Sequence, residues 1–147
     1  ILLNGKSVTD KIRTEKVGNA ASKISVFPKV REALLDRQRK FVEVPGLVAD
    51  GRDMGTIVFP DANLKIFLDA EASDRAKRRY NQLLEKGYNV SLNELIKEVE
   101  ARDARDRNRA FAPLKPADNA VVVDSTNMNI DEVFQHILSL IESNVFN

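Results

Sequence analysis

Apolar and polar positions alternate along the chain in blocks that predict short strands separated by helices. Three largely apolar runs, at residues 47–49, 64–68 and 120–123, have the length and composition of buried parallel strands. An aspartate follows each run directly. Ligand crevices in open α/β sheets lie at the carboxyl ends of the strands, so we expect these aspartates near a binding site.

Four helices are predicted between and after these runs, each marked by residues that typically begin or end a helix. These residues are Pro28 and Phe41 for the first helix, Ser73 and Gly87 for the second, Ser91 with Glu94 at the start of the third, and Asn129 with Glu132 at the start of the fourth. The alternation of strands and helices predicts an α/β fold with a parallel sheet.

The N-terminal residues predict a β-hairpin. Asn4-Gly5 is a strong two-residue turn, and it lies between an apolar stretch at residues 1–3 and a possible return strand at residues 6–9. Gly5-Lys6-Ser7 also resembles the end of a phosphate-binding loop, but the first glycine of that motif would fall before Ile1. We therefore favour the hairpin.

The third predicted helix carries a stripe that turns from apolar to charged. Its members recur at helical spacing: Leu92, Leu95, Ile96 and Val99, then Arg102, Asp103, Asp106 and Arg109. One interpretation is a solvated helix end with pairs such as Arg102–Asp106. The other is an inward charged face, which needs acidic partners or a bound anion because burying unpaired arginines is unfavourable. The register favours the second interpretation. A further basic cluster lies at residues 75–79.

Composition narrows the possible chemistry. The 147 residues have a net charge of +1, which gives no global field to hold a nucleic-acid backbone. The absence of cysteine excludes disulfides, thiolate metal sites and cysteine nucleophiles, and the single histidine, His136, is more consistent with a structural role than a catalytic one. No apolar run is long enough for a membrane helix, and no signal peptide is evident, so we expect a cytoplasmic protein without membrane partners.

A motif at the end of the first predicted strand connects these features to a known family. Asp50-Gly51-Arg52-Asp53 continues through Met54-Gly55-Thr56, and an acid at the end of an apolar strand is how P-loop enzymes hold Mg²⁺. With residues 19–22, 27–28, 59–62, 65–70, 85–87, 102–109 and 124–126, this motif resembles the bacterial cytidylate kinase (CMP/dCMP kinase) family, in order along nearly the whole chain. An adenylate kinase would read Asp-Gly-Phe-Pro-Arg at this strand end.

The resemblance implies a P-loop nucleoside monophosphate kinase fold and transfer of the γ-phosphoryl group of ATP to CMP or dCMP, with Mg²⁺. It also implies a role for each matching residue. Cytosine would be recognised by Ser22, Arg31 and Asp53, the ribose by Arg102 and Asp106, and the acceptor phosphate by Arg52 and Arg109, while Asp50 would lie on the Mg²⁺ side and Arg78 in a mobile lid over ATP.

The chain departs from this family in one respect, because it contains no G-x-x-x-x-G-K-[ST] motif. We therefore expect a sheet that is incomplete at the N-terminus and a chain that does not transfer phosphate by itself, with a missing N-terminal segment as a possible partner. The expected division is a remnant of the acceptor-binding insert at residues 1–25 and an incomplete kinase core at 26–147, with a lid at about 71–92.

Three alternatives remain open from the sequence. One is another nucleoside monophosphate kinase, which base preference among CMP, UMP and AMP would separate. A second is a non-catalytic nucleotide-binding module, supported only by the missing P-loop. The third is an RNA-binding domain, which the near-neutral charge and the 6% aromatic content disfavour, because RNA readers stack bases on aromatic side chains.

Overall fold

The computed structural model describes residues 1–145 and has four short strands and five helices over that range. The strands are β1 (Leu2–Leu3), β2 (Lys6–Ser7), β3 (Ile66–Asp69) and β4 (Val121–Asp124). The helices are α1 (Glu15–Ile24), α2 (Pro28–Arg39), α3 (Ala72–Glu85), α4 (Leu92–Asn108) and α5 (Ile130–Val145), with a 3₁₀ turn at Lys11–Arg13 and a π-helical turn at Met54–Val58.

The N-terminal hairpin is confirmed. Strands β1 and β2 pair antiparallel, and Asn4 and Gly5 both have positive φ angles, of 49° and 76°, as this type of turn requires. The return strand is shorter than the predicted residues 6–9. The hairpin also makes the phosphate-loop interpretation of Gly5-Lys6-Ser7 untenable, because Lys6 and Ser7 lie in a strand rather than at a helix start.

Two of the three predicted parallel strands form. Strands β3 and β4 pair in parallel, with Asp69 opposite Asp124, so their carboxyl ends meet at one edge as expected. The prediction of a buried strand at residues 47–49 is wrong, because this segment is irregular and Val48 is 96% exposed. A strand is stabilised by a hydrogen-bonded neighbour, and within residues 1–145 the parallel ladder comprises β3 and β4 alone.

The helices lie close to their predicted limits, with caps that explain their ends. Pro28 occupies the first turn of α2, Ser91 accepts a hydrogen bond from the backbone of Glu94 at the start of α4, and Asn129 and Glu132 cap each other before α5. The predicted cap at Ser73 is wrong, because Ser73 lies inside α3. Its hydroxyl donates toward the Glu71 carboxylate and does not cap the helix.

Helices α3 and α4 pack against each other. Ala76 of α3 and Leu95 of α4 are both buried there. Small Ala76 lets the two helix backbones approach closely. His136 is exposed on α5. None of the helices within residues 1–145 is long and apolar enough to cross a membrane.

Candidate acceptor-nucleotide site

The charged half of the α4 stripe faces inward, and Asp106 is its centre. This carboxylate is only 2% exposed. Ser22, on the last turn of α1, donates a hydrogen bond to its Oδ1 atom at 3.1 Å, and the Arg52 Nε donates to Oδ2. Arg102, one turn earlier on α4, has its Nε atom 3.8 Å from Oδ2. Ser22, Arg52 and Arg102 therefore surround Asp106, and all four are residues that the resemblance predicts to contact the nucleotide.

A second ion pair lies beside this centre. Arg31 of α2 pairs with Asp53, the residue before the π-helical turn, and both side chains are largely buried. The Arg31 guanidinium also donates to the Ser25 carbonyl at 3.2 Å and lies 5.7 Å from the centroid of the Phe111 ring. A cation over an aromatic face is attracted to it. The predicted base-recognising pair is thus assembled and held from two sides.

Ser25 connects the cluster around Asp106 with the Arg31–Asp53 pair. As the C-terminal cap of α1, it donates from Oγ to the Ser22 carbonyl at 2.8 Å and accepts from the Arg109 NH1 at 3.2 Å. Burial lowers the pKa of the Arg109 guanidinium, and the positive charges of Arg31 and Arg52 lower it further. Arg109 thus lies close enough to Arg31 and Arg52 for their charges to act on it, and such a grouping of guanidinium groups is typical of a site for an anion.

The turn after α4 fixes the direction of Arg109. The Nε of Arg109 donates a hydrogen bond to the Ala112 carbonyl at 2.5 Å. The backbone amide of Leu114 donates a hydrogen bond to the Asp106 carbonyl at 2.8 Å. Ala112 is buried and has a φ angle of 51°, in the left-handed region that alanine seldom adopts. The strained turn thus keeps Arg109 beside the other site residues although it lies beyond the end of the helix.

A third ion pair connects α3 to the same stripe. The Arg75 guanidinium donates hydrogen bonds to both carboxylate oxygens of Asp103, from NH1 to Oδ1 at 3.1 Å and from NH2 to Oδ2. The hydrogen bond to Asp103 raises the pKa of Arg75 above its ordinary value, against the effect of burial. Next to this pair, Arg52, Arg75 and Arg102 help to line a cavity of about 170 Å³. Glu98 and Asp103 also line this cavity. Guanidinium groups around a cavity suit a phosphate group.

Two predicted catalytic residues lie apart from this cluster. Asp50 is exposed in the irregular segment, and no hydrogen bond or ion pair joins it to another residue of the described chain. Arg78 of α3 binds the turn after β4, with NH2 2.5 Å from the Ser125 carbonyl and 3.4 Å from that of Met128, and it pairs with Asp74 at 2.6 Å. Arg78 is therefore anchored to the end of the sheet.

A divalent cation could be held here only in part by protein groups. Among residues 1–145, no group of three or more acidic or histidine side chains could hold a metal ion. A single carboxylate such as Asp50 still suits Mg²⁺, which typically keeps several waters and takes its remaining ligands from substrate phosphates. The donor set therefore fits a metal that arrives with a nucleotide.

Sequence reasoning missed three contributors to the site. Ser25 lies one turn after Ser22 on the same helix face, which is the signal that could have identified it. Arg75 belongs to the predicted basic cluster, but its partner Asp103 is distant along the chain. No pattern in the sequence indicates a role for Phe111, because its contact with Arg31 depends on the turn after α4.

Comparison with known proteins gives one consistent result. A family model described as cytidylate kinase matches residues 1–143. A cytidylate kinase of Aeromonas salmonicida is 62% identical over 142 residues, which cover 97% of this chain and 62% of that protein. The corresponding protein of Serratia proteamaculans is 60% identical over 139 residues, with 95% of this chain and 61% of that protein covered.

A protein of the same name from Pasteurella multocida is 56% identical over 145 residues, which cover 99% of this chain and 64% of the relative. The chain thus spans less than two thirds of the length of the curated relatives that it matches. The charged cluster lies within the residues that the family model matches. The chain belongs to the cytidylate kinase family.

Proposed function

We propose that this chain supplies the acceptor-nucleotide site and the lid of an enzyme that transfers the γ-phosphoryl group of ATP to CMP or dCMP, giving CDP or dCDP. The observation that carries this proposal is the buried Asp106 carboxylate, with Ser22, Arg52 and Arg102 around it. Similarity to proteins named cytidylate kinase points to the same activity.

Arg31 and Asp53 have the chemistry to recognise cytosine, with Ser22 at the adjacent edge. Cytosine presents an amino donor beside ring-nitrogen and carbonyl acceptors. A carboxylate can accept from the amino group, while a guanidinium donates to the acceptors. Uracil has a carbonyl in place of the amino group, so the Asp53 carboxylate would repel it. The Arg31–Asp53 pair, already formed, would have little to rearrange when CMP enters.

The remaining arginines suit the sugar and the phosphate. Asp106 and Arg102 would hold the ribose hydroxyls, while Arg52 and Arg109 would bind the acceptor phosphate. A phosphate dianion between them would offset the repulsion that, with burial, lowers the pKa of Arg109. Binding of the acceptor would thus relieve an unfavourable electrostatic arrangement and orient CMP for in-line attack.

Arg78 and Asp50 have proposed roles on the donor side. Mg²⁺ would enter with ATP and neutralise developing charge on the phosphates, and Asp50 would be its protein carboxylate. Arg78 would lie in a lid at about residues 71–92. The chain contains no Walker motif, so the phosphate-binding loop would come from outside these 147 residues. Residues 1–25 would then belong to the acceptor-binding insert, and 26–147 to a core incomplete at its N-terminus.

We further propose that the enzyme is cytoplasmic, with CMP, dCMP and ATP as its ligands and neither nucleic acid nor membrane among its partners. Balanced charge supports the absence of a nucleic-acid partner, since a net charge of +1 provides no backbone-binding field.

A chimeric enzyme tests the activity. The chain would replace the matching 142 residues of the Aeromonas salmonicida relative, so that the rest of that protein supplies what the chain lacks. We expect ATP- and Mg²⁺-dependent CDP formation by the chimera, and none by the isolated chain. The unmodified relative is the positive control. A folded chimera that binds ATP but makes no CDP would contradict the proposal.

A further inference from the structure

Arg75 is a junction between three parts of the fold. All of its guanidinium nitrogens donate, with Nε bonded to the Ala70 carbonyl at 3.0 Å and the two terminal nitrogens to the Asp103 carboxylate. Ala70 follows β3 directly, Arg75 lies in the first turns of α3, and Asp103 lies on α4. One side chain therefore ties the carboxyl edge of the sheet to two helices.

This junction bears on the acceptor-nucleotide site because Asp103 lies on α4 beside two residues of that site. On α4 it comes directly after Arg102 and three residues before Asp106, so it lies within one helical turn of both. Because an α-helix turns as a rigid unit over such a short span, fixing Asp103 also fixes the rotation of α4 at Arg102 and Asp106. The side chain of Asp103 is only 9% exposed, so water competes little for its carboxylate.

Apolar packing between α3 and α4 is less directional than an ion pair. Ala76 on α3 and Leu95 on α4 are buried, and burial of apolar surface stabilises the helix pair without specifying a direction. A bidentate guanidinium–carboxylate pair, in contrast, has a defined plane and direction. Lysine at position 75 would keep the charge but lose that plane.

From these observations we propose that Arg75, acting through Asp103, is a positioning residue for the acceptor-nucleotide site: it holds α4 in the rotation that directs Arg102 and Asp106 at the nucleotide. The inference rests on the proposed function, because it concerns the same site. Arg75 itself need not touch CMP. The ion pair also links the first turns of the proposed lid helix to that site.

The test compares two matched arginine-to-lysine variants of the full chain. Arg75→Lys removes the bidentate grip, while Arg107→Lys changes the exposed pair that Arg107 of α4 forms with Asp69, 3.9 Å apart. Titration calorimetry gives the Kd for CMP. We expect about tenfold weaker binding for Arg75→Lys, the effect of one misplaced charged hydrogen bond, and no change for Arg107→Lys.

A spectroscopic measurement separates positioning from simple stabilisation. The Arg52 Nε–H, which donates to Asp106, should give a distinct NMR resonance in the nucleotide-free chain. We expect this resonance to shift in Arg75→Lys, below the temperature at which the variant unfolds, and to stay in place in Arg107→Lys. If Arg75→Lys does not fold, Asp103→Glu, which keeps the ion pair but lengthens it by one methylene, takes its place with the same expectation.

The outcomes distinguish this inference from the function on which it rests. An unchanged Arg52 resonance with unchanged CMP affinity in a folded variant would overturn the positioning role and leave the proposed function intact. Wild-type chain that is folded but binds no CMP would overturn the acceptor site and the inference together. Weaker CMP binding with a shifted resonance, seen for Arg75→Lys alone, would support both.

Discussion

Asp106 and Asp50 both belong to the charged residues assigned to nucleotide chemistry, but their surroundings differ sharply. Asp106 lies on α4 and is 2% exposed. It accepts hydrogen bonds from Ser22 and Arg52, which belong to two other segments, and it pairs with Arg102 on the preceding turn of its own helix. Asp50 follows the irregular segment at residues 47–49 and is exposed. The residues proposed for the acceptor half of the site therefore contact one another within the described chain, whereas the carboxylate proposed for Mg²⁺ is not held by other residues of that part of the chain.

The difference follows from how helices and strands are stabilised. A helix satisfies its own backbone hydrogen bonds, so α4 can present a charged face wherever its apolar face packs. A strand depends on a neighbour for its hydrogen bonds, so an apolar run such as residues 47–49 takes its place only when that neighbour is present. Residues 47–49 pair with no strand among residues 1–145, so Asp50, which follows them, is not positioned by a sheet.

The largest expected effect is that of Asp106→Asn. Loss of the buried negative charge leaves Arg52 and Arg102 without their shared carboxylate, so we expect the free energy of unfolding to fall by about 3 kcal/mol. Urea denaturation measures this change, and Asp118→Asn, at an exposed position, is the matched control. An equal effect of the two substitutions would mean that Asp106 is not the centre of the site.

Asp53→Asn should change base selectivity more than stability. An amide can donate to the uracil carbonyl as well as accept from the cytosine amino group, so the preference for CMP over UMP should fall about tenfold or more. Parallel calorimetric titrations with the two nucleotides give the ratio of their Kd values. If the ratio stays constant while both affinities fall, Asp53 does not recognise the base.

Asp124 provides an intermediate case: an exposed strand-end aspartate that has local partners. Hydrogen bonds from the Thr126 hydroxyl, at 2.6 Å, and from its amide hold the pKa of Asp124 below its usual value of 3.8. The stabilisation from this hydroxyl is fully present above that value and is lost as the pH falls through the lower, folded-state pKa. The stability difference between wild type and Thr126→Val should therefore shrink in acid.

Urea denaturation at pH 7 and at about pH 2 measures that difference. The Thr126 hydroxyl also accepts a hydrogen bond from the Glu71 amide at 3.0 Å, a contribution that does not depend on the ionisation of Asp124. A residual difference in acid is therefore expected from that contact. A difference that grows toward acid would contradict the assignment.

The smallest expected effect is that of Asp50→Asn in this chain. Its side chain is exposed and has no described partner, so the free energy of unfolding should change by less than about 0.5 kcal/mol. CMP affinity should also be unchanged, because the proposed role of Asp50 is on the donor side. Weaker CMP binding by Asp50→Asn would place it in the acceptor site and remove the contrast with Asp106.

The success of sequence-based reasoning varied with the range of the interactions involved. The inward face of α4, the Asn4-Gly5 hairpin and the caps at Ser91 and Asn129 depend on neighbours within a few residues, and all are confirmed. The pairing of Arg75 with Asp103 spans 28 residues and carries no local signal. The anchoring of Arg78 on the Ser125 carbonyl likewise depends on where β4 ends.

Selective binding of CMP by the chain itself tests the central claim most directly. Calorimetric titration of the folded chain with CMP, with UMP and AMP as controls, asks whether the cluster around Asp106 and the Arg31–Asp53 pair form a working acceptor site. We predict saturable binding of CMP, with UMP and AMP bound at least about tenfold more weakly. Equal binding of the three nucleotides, or no binding by a chain shown to be folded, would contradict it.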